Sequence, residues 1–363
     1  MKKLSLQLVD TIGGTVAIKT TGRNAWTVTQ HNYGQEHDNN QNPTWLRIVN
    51  PGRAASVTIA IRWATFHWMG YHEIGYVKQS ETYAVIRGRI TPSSTVYTFD
   101  VPSGESFFGA FPWYSNDDNR QCLDALCRES PQCTIRSIGR SGDGRAIECL
   151  TVTGEPRRAG KRNVVVIGRE HATEPSGSYA VVGGAKYLLS GRAPAEFLKR
   201  YNFHFLPIVN PDGTARGLKL TRPGTVATND MLQGGLTSVD PSVKALRNEV
   251  MALRPACLIM HHCYLLSTPW LGVFDKTLGL SLLNQLLPLD TNSEETWSVR
   301  KSGEEKKLLR GYCHKHFKST VVTTELPWAG RLPKDLEKQG ADVLRATVMA
   351  DMNIRNVRLA RKS

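Results

Sequence analysis

The sequence contains no apolar run that could span a membrane and no clear export signal. Two lysines stand near the first residue, but the apolar run after them is interrupted by Gln7 and Asp10, so it does not form the apolar core of a secretory signal. No other segment approaches the roughly 18 consecutive apolar residues that a spanning helix requires. We therefore expect a cytoplasmic protein with no membrane partner.

Cysteine is also scarce, and its number is odd. Seven cysteines among 363 residues, without an export signal, favour reduced thiols over a framework of disulfides. Cys122, Cys127 and Cys133 lie near one another in the sequence, but the group lacks the second pair of ligands that a structural zinc module needs. The cysteines therefore predict neither disulfides nor a cysteine-bound metal.

Positive charge is abundant, but no single segment collects it. The formal net charge is +14, and the modest basic clusters are spread over residues 157–162, 301–310 and 355–362. No stripe of alternating basic and aromatic residues is present, so we do not expect a nucleic-acid partner. A basic surface of this kind would raise the local concentration of acidic peptides, which makes them possible substrates.

Two regions of different texture divide the chain near Pro112. Residues 1–112 hold short runs rich in β-branched and aromatic residues, separated by turn residues, which predicts a small antiparallel β-sandwich. In residues 113–363, apolar strand-like runs alternate with segments of helical spacing. This second region predicts an α/β domain whose mixed, mostly parallel sheet is flanked by helices.

A histidine and a carboxylate follow the first strand-like run of the second region. The segment VVVIGREHATEP places His171 and Glu174 three residues apart in the turn after an apolar strand. An imidazole and a carboxylate at this spacing can bind one ion, and zinc accepts both types of ligand. Functional groups also collect beyond the carboxyl ends of strands in open α/β sheets.

Three later segments bring further polar groups to the ends of strands. The segment NFHFLPIVNPDG ends in a turn, PACLIMHHCY ends in His261 and His262, and STVVTTELPW ends near Glu325. Catalytic zinc typically has three protein ligands and one open position, so a second histidine would complete the set. Adjacent residues of a strand point to opposite faces, so only one of the two histidines can bind, and we favour His261.

The order of these segments resembles the zinc carboxypeptidases, which include the pancreatic enzymes. The shared pattern is H-x-x-E, then NPDG, then a histidine after a strand, then a strand of the T-x-E type. The segments VYTFDVP, FFGAFPWYSND and IGRSGDGRAIECLTV are most similar to the cytosolic carboxypeptidase branch, which carries an N-terminal β-sandwich. The resemblance extends from about Tyr97 to Leu326.

The resemblance implies a role for each matching residue. One zinc ion per chain would be held by His171, Glu174 and His261. Glu325 would act as general base and acid on the attacking water and the leaving amine. The family arginine that stabilises the oxyanion would be Arg222, the nearest arginine of suitable position after NPDG.

One departure from the family pattern concerns the substrate. Family members that remove C-terminal residues usually carry an Asn-Arg pair after NPDG, in which the arginine binds the terminal carboxylate. Here the match is Asn229 followed by Asp230, and Arg222 or Arg216 would have to bind the carboxylate instead. We therefore expect a metallocarboxypeptidase acting on peptides, with two alternatives: an amidohydrolase for a small peptide-like substrate without a free carboxylate, and an inactive binding protein.

Overall fold

A computed structural model describes residues 3–9, 16–30, 45–63, 73–109, 111–154, 160–217, 240–263, 269–286, 297–301 and 308–360. The first ten strands form two five-stranded sheets that pack face to face. Their bounds are β1 Ser5–Leu8, β2 Val16–Gly22, β3 Ala25–Gln30, β4 Trp45–Asn50, β5 Ala55–Arg62, β6 Ile74–Gln79, β7 Thr82–Arg87, β8 Arg89–Ile90, β9 Thr95–Val101 and β10 Gly104–Gly109.

The two sheets confirm the predicted N-terminal sandwich. One has the order β1-β4-β10-β6-β7 and is antiparallel throughout. The other has the order β2-β3-β5-β9-β8, and it contains one parallel pair, β3 with β5, beside three antiparallel pairs. Alternating apolar side chains such as Val57, Ile59 and Ile61 fill the space between the sheets, because successive residues of a strand point to opposite faces.

The second region is an eight-stranded mixed sheet with helices on both faces, as predicted. Its helices are α1 Asn116–Glu129, α2 Pro175–Leu189, α3 Ala195–Arg200, α4 Pro211–Arg216, α5 Pro241–Leu253, α6 Lys276–Leu286, α7 Leu309–Tyr312 and α8 Pro333–Ala360, and a π-helical turn spans Cys313–Phe317. Its strands are β11 Cys133–Arg140, β12 Ala146–Val152, β13 Arg162–Gly168, β14 Tyr201–Leu206, β15 Cys257–His262, β16 Trp270–Val273, β17 Ser298–Lys301 and β18 Thr320–Glu325. The strand order is β11-β12-β14-β13-β15-β18-β16-β17.

The centre of this sheet is parallel, and that arrangement determines where functional side chains collect. The neighbours β14, β13, β15 and β18 all run in the same direction. The middle of β13 reads VVVI and is buried, because helices cover both faces of the sheet. The carboxyl ends of β13, β14, β15 and β18 therefore meet at one edge.

Helices α2 and α8 cross at very short distance on one face of the sheet. A Cβ atom built at Gly183 of α2 would lie 2.0 Å from the carbonyl oxygen of Glu337, and one built at Gly340 of α8 would lie 2.0 Å from the carbonyl oxygen of Ala180. Only glycine permits such an approach of two backbones. This crossing holds α2, which begins one residue after Glu174, against the rest of the domain.

The sandwich and the α/β region share part of their core. Cys263, directly after β15, and Trp328, just after β18, both belong to the apolar cluster of the sandwich. Phe111 packs on the Trp328 ring with centroids 4.3 Å apart, and the Tyr76 hydroxyl donates a hydrogen bond of 2.5 Å to the Trp328 carbonyl. Strand β10 ends at Gly109 and α1 begins at Asn116, so the boundary that we predict at Pro112 lies between them.

None of the described helices is both long enough and apolar enough to cross a bilayer. The seven cysteines are all free thiols.

Candidate metal centre

A short loop between β13 and α2 carries the first two candidate ligands, and Arg169 fixes its shape. Arg169 has a φ of +54°, in the left-handed region, directly after the last residue of β13. Its buried guanidinium donates to the carbonyls of Ala172 at 2.8 Å and Tyr114 at 3.1 Å. Burial lowers the pKa of Arg169 to about 10, and the carbonyl oxygens compensate part of the lost hydration. The loop is thus held from inside the protein.

Three side chains converge at the carboxyl edge of the sheet: His171, Glu174 and His262. Each offers one ligand atom, and these atoms all lie within 4.8 Å of one another. Nδ1 of His171 lies 2.6 Å from Oε1 of Glu174, and Nδ1 of His262 lies 3.2 Å from Oε2 of the same carboxylate. The side chains of His171 and Glu174 are each 15% exposed, so both are largely buried and a small part of each reaches solvent.

The structure corrects the prediction of His261 as the third ligand. His261 and His262 are adjacent on β15, so their side chains leave the strand on opposite faces. Nδ1 of His261 contacts the Thr324 hydroxyl at 2.9 Å, away from the cluster. His262 is the residue that faces His171 and Glu174.

The charges within the cluster support one another. Burial by itself would raise the pKa of Glu174, but the nearby His171 charge and hydrogen bonds from His171 and His262 hold that pKa well below its usual range. Burial by itself would lower the pKa of His262, but contacts with Glu170 and Glu174 raise it well above the ordinary value. In both cases, a charged partner outweighs desolvation.

The donor set fits zinc. Two imidazoles and one carboxylate are the ligand combination of several catalytic zinc sites, which leave a fourth position open to water. Nε2 of His171 is buried and has no hydrogen-bond partner among the described residues, so the contact with Glu174 at Nδ1 is the hydrogen bond that orients this ring there. A backbone amide also orients the carboxylate, because N–H of Cys263 donates to Oε2 of Glu174 at 3.2 Å.

Glu325 lies on the strand next to His262. Strands β15 and β18 are parallel, and His262 and Glu325 are paired in their register. Residues paired across adjacent strands point to the same face, so Glu325 is on the face that carries the metal cluster. The intermediate burial of Glu325 leaves part of the residue accessible to solvent.

The NPDG turn, which follows the neighbouring strand, supports the loop between β13 and α2, called the metal loop below. The Asn210 side chain accepts a hydrogen bond from N–H of Gly213 at 3.0 Å and donates to the Glu170 carbonyl at 3.4 Å. Asp212 is buried and accepts from the Ser141 hydroxyl at 2.6 Å and from Arg145 at 2.8 Å. The turn therefore joins the metal loop to the β11–β12 hairpin, which is a structural role.

The candidate substrate-binding residues have different outcomes. Arg222, Asn229 and Asp230 lie outside the described residues, so their predicted roles stay predictions. Arg216 ends α4 and forms an ion pair of 2.5 Å with Asp143 of the β11–β12 hairpin. Its side chain is 34% exposed, so binding a substrate carboxylate would require it to share or exchange that partner.

Sequence reasoning missed Glu170, which lies directly before His171. Its side chain is 1% exposed, and its Oε2 lies 3.3 Å from Nε2 of His262. The sequence does contain a signal for it, a glutamate between a strongly apolar strand and the first candidate ligand. An acidic side chain that is buried at such a position needs a hydrogen-bonding or charged partner.

Comparisons with known proteins match part of this chain. Residues 120–233 match the zinc carboxypeptidase family model. Cytosolic carboxypeptidase 2 of Xenopus tropicalis is 30% identical over 157 residues, which cover 40% of this chain and 16% of that protein. The protein of the same name in Danio rerio is 37% identical over 90 residues, covering 23% of this chain and 12% of that protein. The matches therefore span less than a fifth of the length of these relatives.

Two solved structures have the same architecture over nearly the whole chain. The metallo-carboxypeptidase of Burkholderia cenocepacia has a TM-score of 0.78 at 17% identity, covering 97% of this chain and 100% of that one. The metallo-carboxypeptidase of Pseudomonas aeruginosa, solved in complex with (2-guanidinoethylmercapto)succinic acid, has a TM-score of 0.74 at 14% identity, covering 95% of this chain and 99% of that one. At these identities the likeness shows the fold.

Proposed function

We propose that this chain, whose residues 120–233 match the zinc carboxypeptidase family model, is a zinc-dependent hydrolase that removes C-terminal residues from peptides. The observation that carries the proposal is the convergence of His171, Glu174 and His262 at the carboxyl edge of the sheet, with Glu325 on the adjacent strand. A match to the family does not by itself indicate that the zinc ligands and the general base are present and close together. The positions of these four residues support that part of the proposal.

Each residue has a defined task in this proposal. His171, Glu174 and His262 hold one zinc ion per chain, which supplies Lewis-acid polarisation of the scissile carbonyl and acidifies a water molecule. The carboxylate of Glu325 accepts the proton of the attacking water and passes it to the leaving amine. Arg222 is proposed to stabilise the oxyanion, a contribution of about 3 kcal/mol for one well-placed donor.

The chemistry of the substrate is the less constrained part of the proposal. A free C-terminal carboxylate needs a cationic partner, for which Arg222 and Arg216 are the candidates beside Asn229. The formal net charge of +14 favours encounter with acidic peptides. A cytoplasmic location is part of the proposal and agrees with the cytosolic carboxypeptidases that the chain resembles.

Asp230 favours a second candidate function. An acid at the position where family members carry the carboxylate-binding arginine would repel a free terminal carboxylate. A zinc-dependent amidohydrolase for a small peptide-like substrate without that carboxylate uses the same metal and the same Glu325. An inactive binding protein is disfavoured, because His171, Glu174, His262 and Glu325 are all present.

Metal analysis combined with a peptide library tests these alternatives together. The purified protein is analysed for zinc and then incubated with a mixed peptide library, with and without a chelator, and the products are read by mass spectrometry. About one zinc per chain with chelator-sensitive loss of C-terminal residues would support the carboxypeptidase. Zinc without any trimming would favour the amidohydrolase, and absence of zinc would contradict both.

A further inference from the structure

His262 lies between two carboxylates, one at each nitrogen of its ring. Nδ1 lies 3.2 Å from Oε2 of Glu174, within the metal cluster. On the other side, Nε2 lies 3.3 Å from Oε2 of Glu170. The ring can turn only one nitrogen toward a metal, so the role of the other nitrogen depends on Glu170.

Glu170 has no cationic side chain of its own among the described residues. Its side chain is 1% exposed, and the His262 ring is its one ion-pair contact there. Arg169, the adjacent residue, directs its guanidinium to the carbonyls of Ala172 and Tyr114 instead. Asn210 contacts the backbone carbonyl of Glu170 and not the carboxylate. Both carboxylate oxygens of Glu170 are buried and make no hydrogen bond among the described residues, and Nε2 of His262 lies 3.3 Å from one of them. A buried carboxylate of this kind needs a donor, and Nε2–H of His262 is a donor within reach.

The backbone holds Glu170 in this position. Gly168 is the last residue of β13 and pairs with His261 of the neighbouring strand β15. The left-handed φ of +54° at Arg169 instead bends the chain out of the strand directly before Glu170. Residues other than glycine rarely adopt this conformation, so a packed and hydrogen-bonded environment must maintain it.

We propose that Glu170 is a positioning residue that accepts a hydrogen bond from Nε2–H of His262 and so would leave the Nδ1 lone pair available to a metal ion. The inference rests on the zinc hydrolase proposed above. Histidine ligands commonly donate their second ring N–H to a carboxylate, which fixes the tautomer and makes the ligand nitrogen more basic. Glu170 is distinct from Glu174, which lies within the metal cluster, and from Glu325, which acts on water.

Two substitutions separate the hydrogen bond from the charge. Glu170→Gln keeps an oxygen acceptor for Nε2–H but removes the negative charge, whereas Glu170→Leu removes both at similar volume. The matched control is Glu249→Leu, which removes another largely buried glutamate, 11% exposed and paired with Arg136 on the β11–β12 hairpin. Zinc affinity is measured by competition with a chromophoric chelator, and Co²⁺-substituted protein is examined by its visible absorption spectrum.

We expect Glu170→Leu to bind zinc roughly 10- to 100-fold more weakly than the parent protein, with Glu170→Gln between the two. The Co²⁺ spectrum of Glu170→Leu should shift because the imidazole ligand loses its acceptor, and that of Glu170→Gln should shift less because only the negative charge is lost, while the control keeps the parent affinity and spectrum. If Glu170→Leu fails to fold, the Glu170→Gln affinity and spectrum decide the matter by themselves.

Parent-like affinity and an unchanged spectrum in Glu170→Gln, and in Glu170→Leu where it folds, would overturn the positioning role and leave the proposed hydrolase intact. A parent protein that binds no zinc would overturn both.

Discussion

Two adjacent histidines on β15 have opposite surroundings. His262 faces Glu174 and Glu170, whereas His261 contacts the Thr324 hydroxyl on the other face of the sheet. Burial lowers the pKa of His261 to about 3, so this ring is neutral at physiological pH. His262 is therefore a candidate metal ligand, whereas its neighbour His261 has a structural role.

Alanine substitutions distinguish the two histidines. We expect His262→Ala to lose stoichiometric zinc, because one of three ligands is removed, whereas His261→Ala should retain about one zinc per chain. The second variant should instead lose about 1–3 kcal/mol of unfolding free energy, since the Thr324 hydroxyl is left without its imidazole partner. Metal analysis after gel filtration and denaturant titration provide the two readouts, and the reverse pattern of zinc loss would restore His261 as the ligand.

Glu325→Gln tests the general base. We expect the variant to retain zinc while its kcat falls by about 10²- to 10⁴-fold, because an amide cannot take the proton of the attacking water. Glu249→Gln, on helix α5, is the control and should keep the parent rate. Rates are measured on whichever peptide the library identifies, and undiminished turnover in Glu325→Gln would remove Glu325 from the mechanism.

The sequence predicts part of this site and leaves part of it undetermined, for identifiable reasons. His171 and Glu174 could be predicted, since a turn after an apolar strand is where ligands collect in α/β sheets. The choice between His261 and His262 could not be made from burial, because β15 is buried on both faces and both histidines are inside. Glu170 could not be assigned because its partner lies on a different strand.

At the scale of elements, the crossing of α2 and α8 is a feature that helical periodicity does not reveal. Spacing of apolar residues indicates that a helix is present, but not which turn of it touches another helix. Gly183 and Gly340 mark that turn, and they permit backbone contact that any side chain would prevent. In the same way, alternation in β3 and β5 predicts two strands without showing that they pair in parallel.

Adding one methyl group at the crossing should be costly. We expect Gly183→Ala to lower the free energy of unfolding by about 1–3 kcal/mol, since its Cβ would overlap the Glu337 carbonyl and force the helices apart. The control is Gly52→Ala, where the nearest atom, Oδ1 of Asn50, lies 3.6 Å away. Thermal unfolding followed by circular dichroism compares the two, and equal melting temperatures would show that the crossing adjusts without strain.

At the scale of the whole molecule, a buried histidine links stability to acid. Burial lowers the pKa of His204 to about 4, and its ring nitrogens contact the Thr151 hydroxyl and Asn163 Oδ1, each at 3.1 Å. In the unfolded chain, His204 takes up a proton as pH falls below about 6.5, whereas in the folded protein it is protonated only near pH 4. Stability is therefore fully present above pH 6.5 and declines between these two values.

The size of this acid effect can be measured. We expect His204 to account for a loss of about 3 kcal/mol between pH 7 and pH 4, from about 1.4 kcal/mol per pKa unit. His204→Asn should show a shallower decline than the parent across that window, even if it is less stable at pH 7. His314→Asn, at an exposed histidine, should keep the parent slope. Denaturant titrations at several pH values supply the slopes, and parallel curves for His204→Asn and the parent would exclude His204 as the cause.

The core shared by the sandwich and the α/β region lies next to the candidate metal centre. Cys263 follows His262 directly, and Trp328 follows Glu325 by three residues, and both side chains belong to the sandwich core. Separation of the two regions would displace the ends of the two strands that carry His262, the candidate metal ligand, and Glu325, the proposed general base. Heat should therefore inactivate the protein at the temperature where the sandwich separates, with no partly opened form that still turns over substrate.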